Sequence, residues 1–364
     1  MDPIAHTLVG ATLARTRLGR GVPLATTTLV IAANLPDVDV AAYFWGSDVA
    51  LGFRRGLTHG PLGLLLLPPL LVLVLAAWQR WRDPSTPAPF AQLTVLAYLG
   101  ALTHPALDWL NTYGVRLLMP FDDRWFYGDV LFIVDPWFWL ILGAGLYLDR
   151  PPESTSRHRW SWRIVAGLAT LAVLAAPLGR AVQGTWVAVV VVVALARRRS
   201  AVAPTRPGRI AAAALTLLLL YLLGSLAVHR AVLQQVAGQT RQLGLAPREL
   251  FVGPLPGTPW RRDVLLVSDE EYRHGEATVS ASGLKLHPEA LPRLPARELD
   301  DLRPGHPELA GFLGWVRYPW TAQAATPDEP TAEAPQWLLD ARYVRQLPDP
   351  PQAAPIGVAR IRSR

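Results

Sequence analysis

The chain has 364 residues, 51% of them hydrophobic and only 17% charged, with a mean hydropathy of +0.22. Soluble globular chains carry about a quarter charged residues, so this composition excludes an ordinary soluble protein and indicates a membrane protein. Cysteine is absent, which excludes disulfides and thiolate ligands, and the net charge of +7 is almost all arginine, Lys285 being the only lysine. The arginines gather at the ends of apolar runs, as orientation signals do, and this pattern is not that of a nucleic-acid-binding surface.

In chain order, residues 4–18 and 22–36 read as short apolar helices. A full crossing needs about 20 residues, so these two enter a bilayer only part way or sit tilted in it. Met1-Asp2-Pro3 is no basic leader, and no cleavable signal peptide is expected. Residues 61–79 read as a transmembrane helix kinked at Pro68 and Pro69. Further spans are expected at 93–110, 130–149, 162–179, 184–196 and 210–229. The expected fold is mainly α, a polytopic helical bundle of six to eight membrane segments over residues 1–229.

Beyond residue 229 the apolar runs give way to proline punctuation and alternating segments. Strands are expected at Val264–Val267, Ala277–Ser282, Gly314–Trp320, Trp337–Arg345 and Ile356–Ile361, and a loop at Thr326–Pro335. Residues 230–364 thus read as a small extramembrane β-rich domain.

Four arginine clusters set an orientation: Arg15/Arg17/Arg20, Arg80/Arg82, Arg150/Arg157/Arg159/Arg163, and Arg197–Arg199 with Arg206 and Arg209. Eight segments put all four on one side, the cytoplasmic side by the positive-inside rule. Residues 37–59, 111–129 and the C-terminal domain then face outward. Arg54 and Arg55 break the pattern, which suggests a site role for them.

Several polar residues interrupt the oiliest half of the chain, where a bare carboxylate or imidazole is expensive. His104 and Asp108 are spaced i, i+4 and share a helix face, with Asn111 following at i+7. One such pair alone reads as a hydrogen-bonded helix end. Asp37 and Asp39 follow Pro36 at a helix C-terminus, where carboxylates oppose the macrodipole and a nearby cation relieves the conflict. His59 precedes the 61–79 span at the same depth as Asp37; the bland alternative for this segment is Thr58 as a simple N-cap of that span. His6 lies near the start of the first segment, and a lone histidine there is ordinarily just an interfacial polar residue. All four regions fall on one side at similar depth. Imidazole and carboxylate together are the ligands of a divalent metal such as zinc. The loop 111–129 adds Arg116, Asp122, Asp123, Arg124, Trp125, Tyr127 and Asp129, whose aromatic members also suit an interface belt. Asp135, inside an apolar run, is a functional candidate by its cost alone.

These residues resemble the YdjM-like bacterial inner-membrane proteins, usually described as metal-dependent hydrolases. The resemblance rests on His6-Thr7 with Gly10, Asn34-Leu35-Pro36-Asp37-x-Asp39, Arg55-Gly56-x-Thr58-His59, and His104-Pro105-x-x-Asp108-x-x-Asn111-x-Tyr113-Gly114. Pro120-Phe121 through Trp125-x-Tyr127-Gly128-Asp129 and Asp135-Pro136 complete it, so that it covers residues 1–150 most strongly. The order His, Asp, His, His-x-x-x-Asp is also similar to the zinc-dependent phospholipase C and P1 nuclease class, although the further downstream histidine ligands of that class are missing here. The resemblance implies one or two divalent ions, zinc by preference, held by His6, Asp37, Asp39, His59, His104 and Asp108. It implies a hydrolase of the bacterial inner membrane. Asp39 or Asp37 would serve as base, and Arg55, Arg116 or Arg124, with Asn111, would face a phosphoester that is lipid or lipid-linked. The competing expectation is a non-catalytic metal-binding envelope protein that docks a partner through its C-terminal domain.

Overall fold

A computed structural model describes residues 1–149, 156–200, 208–279, 283–323, 336–347 and 356–361. The chain forms two compact units. The first comprises Met1–Val38, Arg55–Leu226 and Pro256–Pro259, and the second Asp39–Arg54, Ala227–Leu255 and Trp260–Arg364.

The first unit is helical. It contains α1 (Pro3–Arg15) and α2 (Ala25–Asn34); the short α3 (Ser47–Phe53) belongs to the second unit. Then come α4 (Pro61–Arg82), α5 (Phe90–Trp109), α6 (Pro136–Asp149), α7 (Ser156–Ala175), α8 (Arg180–Ser200) and the first part of α9 (Arg209–Gln242). Among the described residues four helices are long and apolar enough to cross a membrane: α4, α5, Arg180–Arg198 of α8, and α9. Trp160–Ala175 of α7 is a shorter apolar helix. The segment expected at 210–229 is the beginning of a 34-residue helix.

Helix α1 starts where it does because Asp2 caps it, accepting hydrogen bonds from the backbone N–H groups of Ile4 and Ala5, with Pro3 at the first helical position. It packs on α2, and α2 packs on α5, through small residues. A Cβ on Gly10 would lie 2.5 Å from the Leu29 carbonyl oxygen, and one on Gly100 would lie 2.9 Å from the Ala32 Cβ. Glycine at these two positions lets the backbones approach. Asn34 at the end of α2 donates to the Thr7 hydroxyl of α1 at 3.0 Å.

One expectation about helix ends holds in part and one is corrected. The α-helix α2 ends at Asn34, before Pro36 as expected, but the chain continues as a 3-10 helix, Leu35–Trp45, that carries Asp37 in its first turn. The segment 130–149 becomes helical only at Pro136. Val130 and Leu131 instead bond the Leu110 carbonyl, and Asp135 accepts from the Phe138 N–H as an N-cap. Its other oxygen accepts from the Tyr221 hydroxyl at 2.7 Å, so the intramembrane cost of Asp135 is met by structural hydrogen bonds.

The second unit holds a four-stranded sheet in the order β1-β2-β3-β4 and a three-stranded sheet in the order β5-β6-β7. The strands are β1 (Glu249–Leu255), β2 (Thr258–Val267), β3 (Glu271–Thr278), β4 (Lys285–Pro292), β5 (Pro319–Gln323), β6 (Gln336–Asp340) and β7 (Val358–Ile361), with α10 (Ala296–Gly305) and α11 (Ala310–Trp315) between β4 and β5. The Val264–Val267 run is buried on both faces, which is why it does not alternate. Leu265 and Val267 pack with Phe251, Tyr318, Trp320, Trp337 and Leu339, while Val264 and Leu266 pack with Val232 and Val236 of α9.

The expected strand 314–320 is corrected: Gly314 and Trp315 close α11, and the strand starts at Pro319. The expected strand 337–345 ends at Asp340, where Tyr343 and Val344 donate back to the Asp340 carbonyl in a turn. Residues 280–282 of the expected 277–282 strand, and the Thr326–Pro335 loop, lie outside the described residues. Strand β4 escaped the sequence pattern because Pro288 and Pro292 argue against a strand, yet an edge position tolerates both.

Candidate metal centre

Five side chains of the first unit converge. His6 comes from the second turn of α1, Asp37 from the 3-10 helix, His59 from the turn before α4, and His104 and Asp108 from the last turns of α5. His6, His59, His104 and Asp108 are fully buried, while the Asp37 side chain is 15% exposed. Asp108 is the hub: its oxygens lie 3.4 Å from His6 Nε2, 3.4 Å from His59 Nε2 and 3.5 Å from His104 Nε2. Asp37 Oδ1 lies 3.9 Å from His59 Nε2 and 3.8 Å from His104 Nε2. The His6 and His104 rings stack with centroids 3.8 Å apart, and His59 meets His104 edge-on at 4.9 Å. Two triads have donors close enough to hold one ion, His6/Asp37/His104 and His59/His104/Asp108.

The histidines are oriented from behind. His104 Nδ1 lies 2.6 Å from the Ala33 carbonyl oxygen. A carbonyl only accepts, so Nδ1 carries a proton, and the ring is held with Nε2 facing the cluster. That buried Nε2 has no hydrogen-bond donor among the described residues. The Thr58 hydroxyl is 3.0 Å from His59 Nδ1, so Thr58 orients a site histidine and is not the N-cap of the span; Gly60 holds that position. Buried imidazole and carboxylate donors this close together are of the kind that holds a divalent ion, and the donor set fits one.

Arg55 sits at φ 53, a backbone conformation that is costly for a residue with a side chain. Its Nε is 2.9 Å from Asp108 Oδ2, and its Nη1 donates to Asn111 Oδ1 and to the Gly114 carbonyl at 3.0 Å each. The guanidinium lies over the Tyr113 ring at 4.6 Å. Arg55 and Asn111 thus belong to the shell that holds Asp108. The Met1 amino group also bonds Asp108. Sequence reasoning had no means of finding this contact or the Ala33 carbonyl, because backbone groups carry no residue-type signal.

The remaining expected site residues are placed differently. Asp39 pairs with Arg54 at 3.2 Å, both within the second unit, and is in neither triad. Arg116 is buried, with its guanidinium 4.9 Å from the Trp125 ring centroid and its N–H on the Arg55 carbonyl. Arg124 is exposed and paired with Asp122 at 2.7 Å. Trp125 stacks on Tyr127 with centroids 6.4 Å apart and meets Tyr113 edge-on at 6.0 Å.

Membrane-length apolar helices and a buried His/Asp cluster with metal-ligand spacing define a helical membrane protein with a candidate metal centre. The chain belongs to the YdjM inner membrane protein family, whose model matches residues 1–232 and so contains every residue of the cluster. No curated protein and no solved structure matches the chain.

Proposed function

We propose that the protein is a membrane-bound hydrolase that uses one divalent ion, zinc by preference, to cleave a phosphoester at the outer face of the inner membrane. The observation that carries this reading is the convergence of His104 with two carboxylates and two further imidazoles: its Nδ1 is held by the Ala33 carbonyl, and its buried Nε2 faces the cluster. Within each triad the donor atoms lie within 4.8 Å of one another, so that one ion would be within reach of all three. Both triads draw on His104, and its Nδ1 is engaged by Ala33. One imidazole nitrogen has one lone pair, which favours one ion over two.

His6, His59, His104 and Asp108 hold the ion in this reading, and Arg55 positions Asp108. A bound ion of this kind lowers the pKa of a water to about 7 and polarises the scissile bond. Asp37, the least buried of the five, accepts the proton. The arginine clusters support the topology: six to eight segments over residues 1–229, with α1, α2, α6 and α7 adding to the four long helices, and an extracytoplasmic β-rich domain over 230–364. A site at headgroup depth favours a lipid or lipid-linked substrate.

Metal analysis of purified protein tests the centre. About one equivalent of zinc is expected in the wild type and a loss of at least tenfold in affinity in His104→Ala and in Asp108→Ala. Wild-type metal content in both variants overturns the site. A phosphodiester and phospholipid screen with and without chelator tests the chemistry. A second reading, a structural ion in a non-catalytic protein, is favoured by the bonds that Arg55 and the Met1 amino group make to Asp108, because structural sites are closed. It is the outcome if metal binds stoichiometrically and no phosphoester is turned over.

A further inference from the structure

Four of the five cluster side chains are fully buried. Asp37, the single member with an exposed side chain, also lines a groove of about 400 Å³ whose other walls are Val30, Ile31, Asn34, Leu35 and Val38. These residues recur at helical spacing along α2 and the start of the 3-10 helix, so the groove follows one face of that element and ends at Asp37. Its polar groups, Asn34 and Asp37, sit together toward the end near the cluster; the rest is aliphatic. The backbone N–H and C=O groups of α2 are consumed within the helix, so the hydrogen-bonding groups of the groove are confined to its Asn34/Asp37 end. Ile31 and Val38 are exposed, at 39% and 51%, in a unit that also carries membrane-length helices.

From this the geometry points to a hydrocarbon-chain subsite: the groove Val30/Ile31/Leu35/Val38 seats the alkyl chain of an amphiphilic phosphoester whose head lies against Asp37. The inference rests on the proposed hydrolase reading for the identity of the head group. It adds the place of the substrate's chain, which enters sideways from the bilayer along this groove. An amphiphile with one apolar arm and one charged end matches a groove that is apolar along its length and polar at one end. Each methylene moved from water into such a groove contributes about 0.8 kcal/mol, or roughly fourfold in affinity.

The test uses the full chain in lipid nanodiscs, loaded with zinc, and a dodecyl phosphate carrying a photoreactive diazirine on its chain. Labelling is expected on Val30, Ile31, Leu35 or Val38, displaced by excess unlabelled dodecyl phosphate and weakened by inorganic phosphate. Ile31→Trp and Val38→Trp, which fill the groove from exposed positions, should each lower the labelling roughly tenfold, the value for losing the seats of about two methylenes. Bound metal should be unchanged. Leu65→Trp on the exposed face of α4 should leave labelling at wild-type level. Labelling spread evenly over the exposed helices, or undiminished in both groove variants, overturns the subsite. Metal content on the same samples reports separately: protein that holds no zinc but still labels in the groove overturns the metal centre and leaves the subsite standing.

Discussion

The two ring nitrogens of His104 have different partners, and the difference sets the chemistry. The Ala33 carbonyl holds the Nδ1 side, and the Nε2 side faces the cluster. The hydroxyl of Thr58 has the same position behind His59. Groups that orient a metal-binding imidazole typically contribute 10–100-fold in affinity. Thr58→Val is therefore expected to weaken zinc binding about tenfold with the fold intact, as read by competition with a chromophoric chelator. His274 in β3 is a buried histidine of another kind. Burial, reinforced by the Arg345 guanidinium and His287, pushes it down to about 4. Its folded value lies below the unfolded 6.5, so its contribution to stability is present above pH 6.5 and is lost as pH falls toward 4. Neighbouring Asp263, pushed up to about 7 by burial against the pull of Arg345, has the opposite sign: its contribution is present below the unfolded value and is lost as pH rises through 7. The histidine effect is isolated by comparing wild type with His274→Leu. Between pH 7 and 5 the wild type should lose about 1–2 kcal/mol relative to the variant, measured as hydrogen-exchange protection of residues 249–278.

At the scale of elements, the centre depends on three helices that approach closely. Gly10 lies against Leu29, and Gly100 against Ala32, the residue next to the carbonyl that orients His104. His104 follows Gly100 by one turn on α5. A side chain at position 100 must push α2 and α5 apart, and overpacking of this kind costs about 1–3 kcal/mol. Gly100→Leu is expected to lower zinc affinity although no ligand changes, whereas Gly143→Ala on α6, where a Cβ meets nothing within 4 Å, should bind like wild type. Equal metal content in the two variants would show that helix separation does not set the site. The helix pattern was legible: α1, α2, α4, α5, α7 and α8 fall close to the apolar runs that predict them. The strands of the second unit were less so. Pro288 and Pro292 hid β4, and Gly314–Trp315 reads as strand in isolation but closes α11, whose Phe312 and Trp315 are buried. Short segments take their conformation from what they pack against, and neither propensity nor period reports that.

For the whole molecule the open prediction is topology. The natural chain has no cysteine, so single cysteines report without background. Asp269→Cys, exposed in the second unit, should react with an impermeant maleimide on intact spheroplasts, and Arg82→Cys at the end of α4 only after permeabilisation. The reverse pattern would place the candidate centre on the cytoplasmic side.

Sequence alone determined that this is a helical membrane protein with metal-type residues at costly positions, because hydropathy and the i, i+4 spacing of His104 and Asp108 are properties of the chain itself. It also marked Asp39, Arg116, Arg124 and Asp135 on the same grounds of cost and charge. Only the tertiary structure separated these from the cluster. Asp39 faces Arg54, Asp135 caps α6, Arg124 pairs with Asp122 at the surface, and Arg116 lies over the Trp125 ring. The physical reason is that a charge can be met by a cap, an ion pair or a metal. Residue type fixes that it must be met, and the packing of distant segments decides by what.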